Sequence, residues 1–459
     1  MSTKRDLVEA HAFSRRRLVT AFVSGAPGGR EVEPNRPGRA IIGGVALAIL
    51  LVAGAAIAGV FSPRTPANWR DSGIVIAKES GNNYVVLEDD DPLRPTDPVS
   101  ARLIFGSDTE VRNVAQDEIN KVEIGDDIGI FGAPDSLPST SLLVDSGWSA
   151  CMNDQGGSQF RIDRRPATEP APSAAVTVTG SDGRRYLVAS SGNGSGAFRL
   201  ALGTGRRANG ILARLGLASA PTYDVPDEWL NLFPSGPALS TGSFGISRVG
   251  SPAPYADRLG DPSLEVGQLV TYVGKTYVLG AKKPIEVRPF AAAVYEIVSG
   301  ESPAELDAFD ETADSADDLA VWPAAEPVAL DAEPCAVLDA AQGRASRTQL
   351  ATAPRGEASA AAVGDAIRYS VAPGQGAYVR TAGHGDATGG QQWVIDSGGT
   401  RYRLGGKGVE TADLLGYAGY DVPTIPDAWV EQFGCGPELS NRAAMAEPDA
   451  EAATGSCEQ

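Results

Sequence analysis

The sequence predicts an α+β protein: a single N-terminal transmembrane helix, then a pseudo-twofold extracytoplasmic body with a β-rich core and four small strand–helix repeat units. Three observations carry this. An uncharged apolar run fills residues 41–61. Two stretches 200 residues apart share the same Trp, Phe, Gly and Pro positions. Short apolar runs beside those stretches are punctuated by Gly turns, the pattern of hairpins.

Residues 1–40 form a basic cytoplasmic region, with eight Lys/Arg against four Asp/Glu. Leu7, Val8, His11, Leu18, Val19, Phe22 and Val23 recur at three and four spacings around Arg15, Arg16 and Arg17. That suits a helix lying on a membrane or a partner protein; the alternative is a solvated segment that only sets topology. The 21 residues 41–61 (IIGGVALAILLVAGAAIAGVF) contain no charge. At about 1.5 Å per residue they reach roughly 30 Å, the thickness of a bilayer core. Basic residues crowd the N-terminal flank, so the N-terminus is expected in the cytoplasm and residues 62–459 outside the plasma membrane. A cleaved signal peptide ending near Ala56-Ile57-Ala58 is the rival. The basic region and the apolar run are both too long for one.

At 459 residues the chain exceeds one ordinary packing unit. We expect a first repeat unit over 62–140, a core segment over 141–185 and a second unit over 186–245. A third unit follows over 246–300, then an acidic linker and core segment over 301–390, a fourth unit over 391–440 and a tail over 441–459. The strongest repeat pairs VPDEWLNLFPSGPALS with IPDAWVEQFGCGPELS. Trp229 and Phe233 match Trp429 and Phe433, which makes these four the expected repeat core. A fainter repeat pairs residues 84–105 with 277–299: short strand, polar turn, second strand, Pro, Ala-rich helix start. Each unit is too small to bury a core alone. Residues 300–334 hold eleven Asp/Glu among Ala and Pro and read as a solvated loop or mobile linker.

The four cysteines, Cys151, Cys335, Cys435 and Cys457, all follow the apolar run, on the side where disulfides persist. None forms a CxxC pair, which weakens zinc and redox readings. Three connectivities are open. Cys151 and Cys335 follow equivalent repeat units, and a pseudo-twofold axis would bring such points together, so Cys151–Cys335 and Cys435–Cys457 are favoured.

The net charge of −19 disfavours nucleic-acid partners, whose phosphates it would repel. No catalytic, cofactor or metal site is expected. His11 precedes the apolar run and His384 sits in a turn-like GHG. Asp89-Asp90-Asp91 lacks the spacing of a calcium loop. Gly274-Lys275-Thr276 resembles the end of a P-loop, yet the glycine needed upstream is absent and strands, not a helix, flank it. It reads as a hairpin turn.

The opening forty residues, the apolar run, FSPRTPANWR after it, GAPDSLPST at 132–140 and the Trp-Phe-Gly-Pro repeat ends together resemble the EccB family of the actinobacterial type VII (ESX) secretion system. The resemblance runs from residue 1 to about Leu439. It implies a structural core subunit of a membrane complex that supports export of small helical WXG100-type proteins. Implied partners are the other Ecc membrane subunits, including a hexameric ATPase, further copies of the chain on the periplasmic side, and the lipid bilayer. It also implies that the extracytoplasmic body is elongated and carries a disulfide. Some family members carry an ATPase label, so an extracytoplasmic ATPase of the same system is the alternative. A glycan-binding anchor using exposed aromatics among Trp148, Trp229, Trp322, Trp393 and Trp429 is a third reading.

Overall fold

The structure is a computed structural model. It describes residues 3–24, 37–61, 65–153, 155–340, 344–353 and 366–450, without the side chains of 37, 39, 40 and 56–61. The chain forms two compact units, residues 1–65 and 66–459.

The first unit holds two helices, α1 (Lys4–Ser24) and α2 (Pro37–Phe61). The single transmembrane helix expected over 41–61 falls within α2, yet among the described residues no helix is long and apolar enough to cross a membrane.

The second unit begins with a small sheet built from β1 (Gly73–Ala77), β2 (Asn83–Val86) and β3 (Arg94–Thr96), antiparallel in succession. Helix α3 (Pro98–Phe105) then returns the chain so that β4 (Val111–Val114) lies parallel to β1, before the short α4 (Gln116–Ile119). The start of α3 follows from its sequence. Asp97 accepts a hydrogen bond from the Ser100 N–H, and Pro98 occupies the first turn, where no amide is needed.

Next come β5 (Ser149–Met152), β6 (Ser158–Ile162) and β7 (Glu169–Pro170). The second repeat unit comprises β8 (Ala174–Thr179), β9 (Arg185–Ser190), β10 (Ala197–Gly203), α5 (Gly205–Arg214), β11 (Thr222–Asp224) and α6 (Asp227–Leu230). The third comprises β12 (Leu269–Tyr272), β13 (Lys275–Leu279), β14 (Pro284–Val287), α7 (Pro289–Ser299) and β15 (Ala304–Glu305), with β16 (Asp314–Ser315) added at its edge. After β17 (Val328–Ala329) the chain forms β18 (Pro334–Asp339), β19 (Arg347–Thr352) and β20 (Ile367–Val371). The fourth unit comprises β21 (Ala377–Ala382), β22 (Gln391–Ile395), β23 (Thr400–Arg403), α8 (Gly408–Leu414), β24 (Thr424–Pro426), α9 (Asp427–Val430) and β25 (Gly434–Cys435), followed by α10 (Asn441–Ala444).

All four units share one topology: three antiparallel strands, a helix, then a fourth strand parallel to the first. The strands at Ala174–Thr179 and Ala377–Ala382 belong inside the second and fourth sheets. Between the units lies a six-stranded sheet in the order β20-β6-β5-β18-β19-β7, with β5 and β18 antiparallel at its centre.

Packing pairs the units crosswise. Helix α5 of the second unit lies against α7 of the third, and Leu187, Leu200, Ile211, Val278, Phe290 and Trp322 share one core there. Helix α3 of the first lies against α8 of the fourth, around Leu103, Tyr378, Val394 and Tyr417. A third core joins the second and fourth units to the central sheet.

The acidic stretch 300–334 is a strap rather than a loose linker. Its residues add β15 and β16 to the two edges of the third sheet and β17 to the second. Glu311 pairs with Arg258 at 2.7 Å, and Arg214 of α5 holds both Glu296 of α7 and Glu326 of the strap, at 2.7 and 3.0 Å. Glu311 and Glu326 face cations distant in sequence, which composition alone could not reveal.

Candidate functional site

The second and fourth repeat units meet at the central sheet. Strands β5 and β18 place Cys151 directly opposite Cys335, and the two are disulfide-bonded across 184 residues. Cys335 is fully buried beside Ala351 and Ala353. Cys435, in β25, is also disulfide-bonded. Cys457 lies outside the described residues.

Trp229 and Trp429 enter the same core from the short helices α6 and α9. The Trp229 indole N–H donates to the Ala150 carbonyl on β5 at 2.9 Å. That of Trp429 donates to Thr348 Oγ1 on β19 at 3.2 Å. Phe233 packs 4.9 Å from Trp229, ring centre to ring centre, and Phe433 meets Trp148 edge-on at 5.8 Å. The Gly-Pro that ends each repeat has a steric cause. A Cβ at Gly236 would overlap Leu200, and one at Gly436 would overlap the Tyr402 ring.

Burial decides against a stacking platform for sugars. Trp148, Trp229, Trp322 and Trp429 are all less than 2% exposed. Trp393 is half-buried, donates to Thr381 Oγ1 and carries the Arg401 guanidinium 5.4 Å above its ring.

Gly274-Lys275-Thr276 sits at a hairpin tip. Tyr272 pairs with Lys275, and Val273 and Gly274 between them both have positive φ, the geometry of a two-residue type I′ turn. A strand follows, so no helix N-terminus gathers amides towards a phosphate. The Lys275 Nζ is held by Glu286 at 2.9 Å, which raises its pKa. A cavity of about 460 Å³ lies beside this turn, where Lys275 and Arg288 are outnumbered by Glu286, Asp314 and Asp317. Charge of that sign disfavours a triphosphate.

A second cavity, about 370 Å³, lies between Ser195, Phe198, Arg347, Thr348 and His384. His384 is exposed, with Nε2 2.9 Å from the Asn231 carbonyl oxygen, and no serine hydroxyl bonds to it among the described residues. Arg347 is tied down by Asp339 and the Gly194 carbonyl. In the triple-aspartate turn, Asp89 accepts from the Ser72 N–H and Asp91 from the Glu88 N–H. Among the described residues no group of three His, Cys, Asp or Glu side chains is placed to hold a metal ion.

Comparison with known proteins agrees with this architecture. The chain is 28% identical over 319 residues to the ESX-5 secretion system ATPase EccB5 of Mycobacterium marinum (strain ATCC BAA-535 / M), covering 59% of the chain and 58% of that relative. It thus spans under two thirds of that relative's length. A longer match, 25% identical over 502 residues, covers 97% of the chain and 92% of the ESX-3 secretion system ATPase EccB3 of Mycolicibacterium smegmatis (strain ATCC 700084 / mc(2)155). Its fold matches a chain of an intact ESX-5 inner membrane complex with TM-score 0.62 at 20% identity, over 98% of this chain and 96% of that one. It matches an EccB3 dimer from the ESX-3 core complex with TM-score 0.61 at 21% identity, over 82% of this chain and 100% of that one. The family model described as type VII secretion system ESX-1, transport TM domain B, matches residues 1–453, and the chain belongs to that family, EccB.

Proposed function

We propose that this chain is a structural core subunit of a type VII secretion membrane complex and supports export of small helical WXG100-type proteins. Its partners in that reading are the other Ecc membrane subunits, including the hexameric ATPase, and further copies of itself. The apolar residues 41–61 cross the plasma membrane once, with the N-terminus cytoplasmic and the repeat body outside. One observation carries the architectural role. The groups best suited to chemistry are engaged in packing: the indole N–H groups in backbone and hydroxyl bonds, Lys275 with Glu286, the central cysteines with each other.

The relatives' names contain the word ATPase, so nucleotide hydrolysis by the body is the second reading. The test is ATP hydrolysis by the purified full chain and its Lys275→Ala variant. Architecture predicts no turnover above buffer and no difference between the two. Turnover abolished by Lys275→Ala would reverse the order of the readings.

A further inference from the structure

The two outer edges of the central sheet are treated differently. At one end β7 is two residues long, Glu169 and Pro170, both exposed. A short edge strand with a charge and a proline cannot template another strand. At the other end β20 runs five residues, Ile367–Val371, parallel to β6, and no described residue pairs with its outer side. It carries no proline, no acidic residue and no bulge, and its one charge is the exposed Arg368. Ile367 and Tyr369 are 38% and 46% exposed on the same face of the strand, and the buried Ser370 hydroxyl has no hydrogen-bond partner.

The composition of this edge is self-complementary. An antiparallel pairing with itself, centred on Tyr369, puts Ile367 opposite Val371 and Tyr369 opposite its own copy. Arg368 falls opposite Ser370. Aliphatic and aromatic cross-strand pairs of this kind stabilise a sheet, and no like charges stand directly opposite, the two copies of Arg368 lying on a diagonal. A twofold interface must be isologous, which this register satisfies.

We propose that β20 is the surface through which two copies of this chain join, edge to edge, into one continuous sheet. This rests on the self-association proposed above and adds the strand and the register.

The test uses single-cysteine additions in the full chain, extracted in mild detergent and gently oxidised. At the centre of an antiparallel pair the two Cα atoms lie roughly 4.5–5.5 Å apart, inside the roughly 4.4–6.8 Å that a disulfide spans. Tyr369→Cys should therefore give a covalent dimer, at least about tenfold faster than Arg368→Cys, whose copies sit diagonally at roughly 7–8 Å. Ile367→Lys, at an exposed position, should weaken self-association roughly tenfold while leaving the melting transition in place, since an edge lysine blocks strand pairing. A dimer that persists in native mass spectra, with Tyr369→Cys and Arg368→Cys cross-linking equally or not at all, would overturn the β20 surface and leave self-association standing. A wild-type chain that is monomeric under the same extraction would overturn both.

Discussion

The Trp429 indole donates to Thr348 Oγ1, and that hydroxyl donates in turn to the carbonyl of Leu232. One side chain on the central sheet thus connects α9 of the fourth unit to the loop after α6 in the second. Thr348 is 2% exposed, so water cannot replace either bond.

Thr348→Val keeps the shape and removes both bonds. It leaves a buried carbonyl and a buried indole N–H unmet, and should cost about 1–3 kcal/mol. Thr348→Ser should recover most of that. Denaturant midpoints of the three proteins check it, and equal midpoints would contradict the bridging role.

Gly236 and Gly436 end the two strongest repeats because side chains from the third strands of their sheets occupy the space of a Cβ. Alanine at either position should destabilise by roughly 1–3 kcal/mol, the cost of overpacking a filled core. Gly81 has nothing within 4 Å of a built Cβ and a positive φ of 74°, so Gly81→Ala should show backbone strain without overlap and a smaller loss. Thermal melts of the three variants give the order.

The Cys151–Cys335 bond closes a loop of 184 residues. Chain entropy assigns such a cross-link about 5 kcal/mol. Cys151→Ser with Cys335→Ser should lower the unfolding midpoint steeply, and mild reductant should act far more slowly on the folded wild type than on the unfolded chain, because Cys335 is fully buried and Cys151 partly so. Rapid labelling of both thiols in folded protein under mild reductant would contradict this.

Alkali should loosen the repeat interfaces. Burial pushes the Tyr378 and Tyr295 hydroxyls up to about 12, above the roughly 10 of an unfolded chain. Tyr417, stacked on Tyr378 at 5.1 Å, is raised by burial as well. With folded values above unfolded ones, this stability is fully present below about pH 10 and is lost as pH rises through about 12. Urea midpoints measured alongside tyrosinate absorbance should hold to about pH 10 and then fall. Tyrosines that all ionise near 10 in the folded protein would contradict it.

Several of these features were legible in the sequence. Trp229, Phe233, Gly236 and their partners 200 positions on stood out because rare, rigid residue types kept their spacing. The hairpin at Gly274 was legible from its flanking strands. Other features depend on contacts that no local pattern encodes. The strap read as a solvated acidic loop because Glu326 meets Arg214 from 112 residues away. Strands β8 and β21 looked like spacers between repeats, since only their pairing with the strands that follow shows that they open a unit. The common topology of all four units was hidden too: β1–β3 and β12–β14 share a strand pattern with β8–β10 but few residue identities. Strand β20 is half polar, so its place on the sheet edge came only from its register with β6.

The central claim is that this body works as architecture within a membrane complex. The most direct measurement is mild-detergent extraction of the tagged full chain from its native membrane, with mass spectrometry of whatever migrates with it, compared with a chain lacking residues 1–40. The account predicts a large assembly containing other Ecc subunits, lost or reduced in the truncated chain. A full-length chain that migrates alone, with the same profile as the truncation, would contradict it.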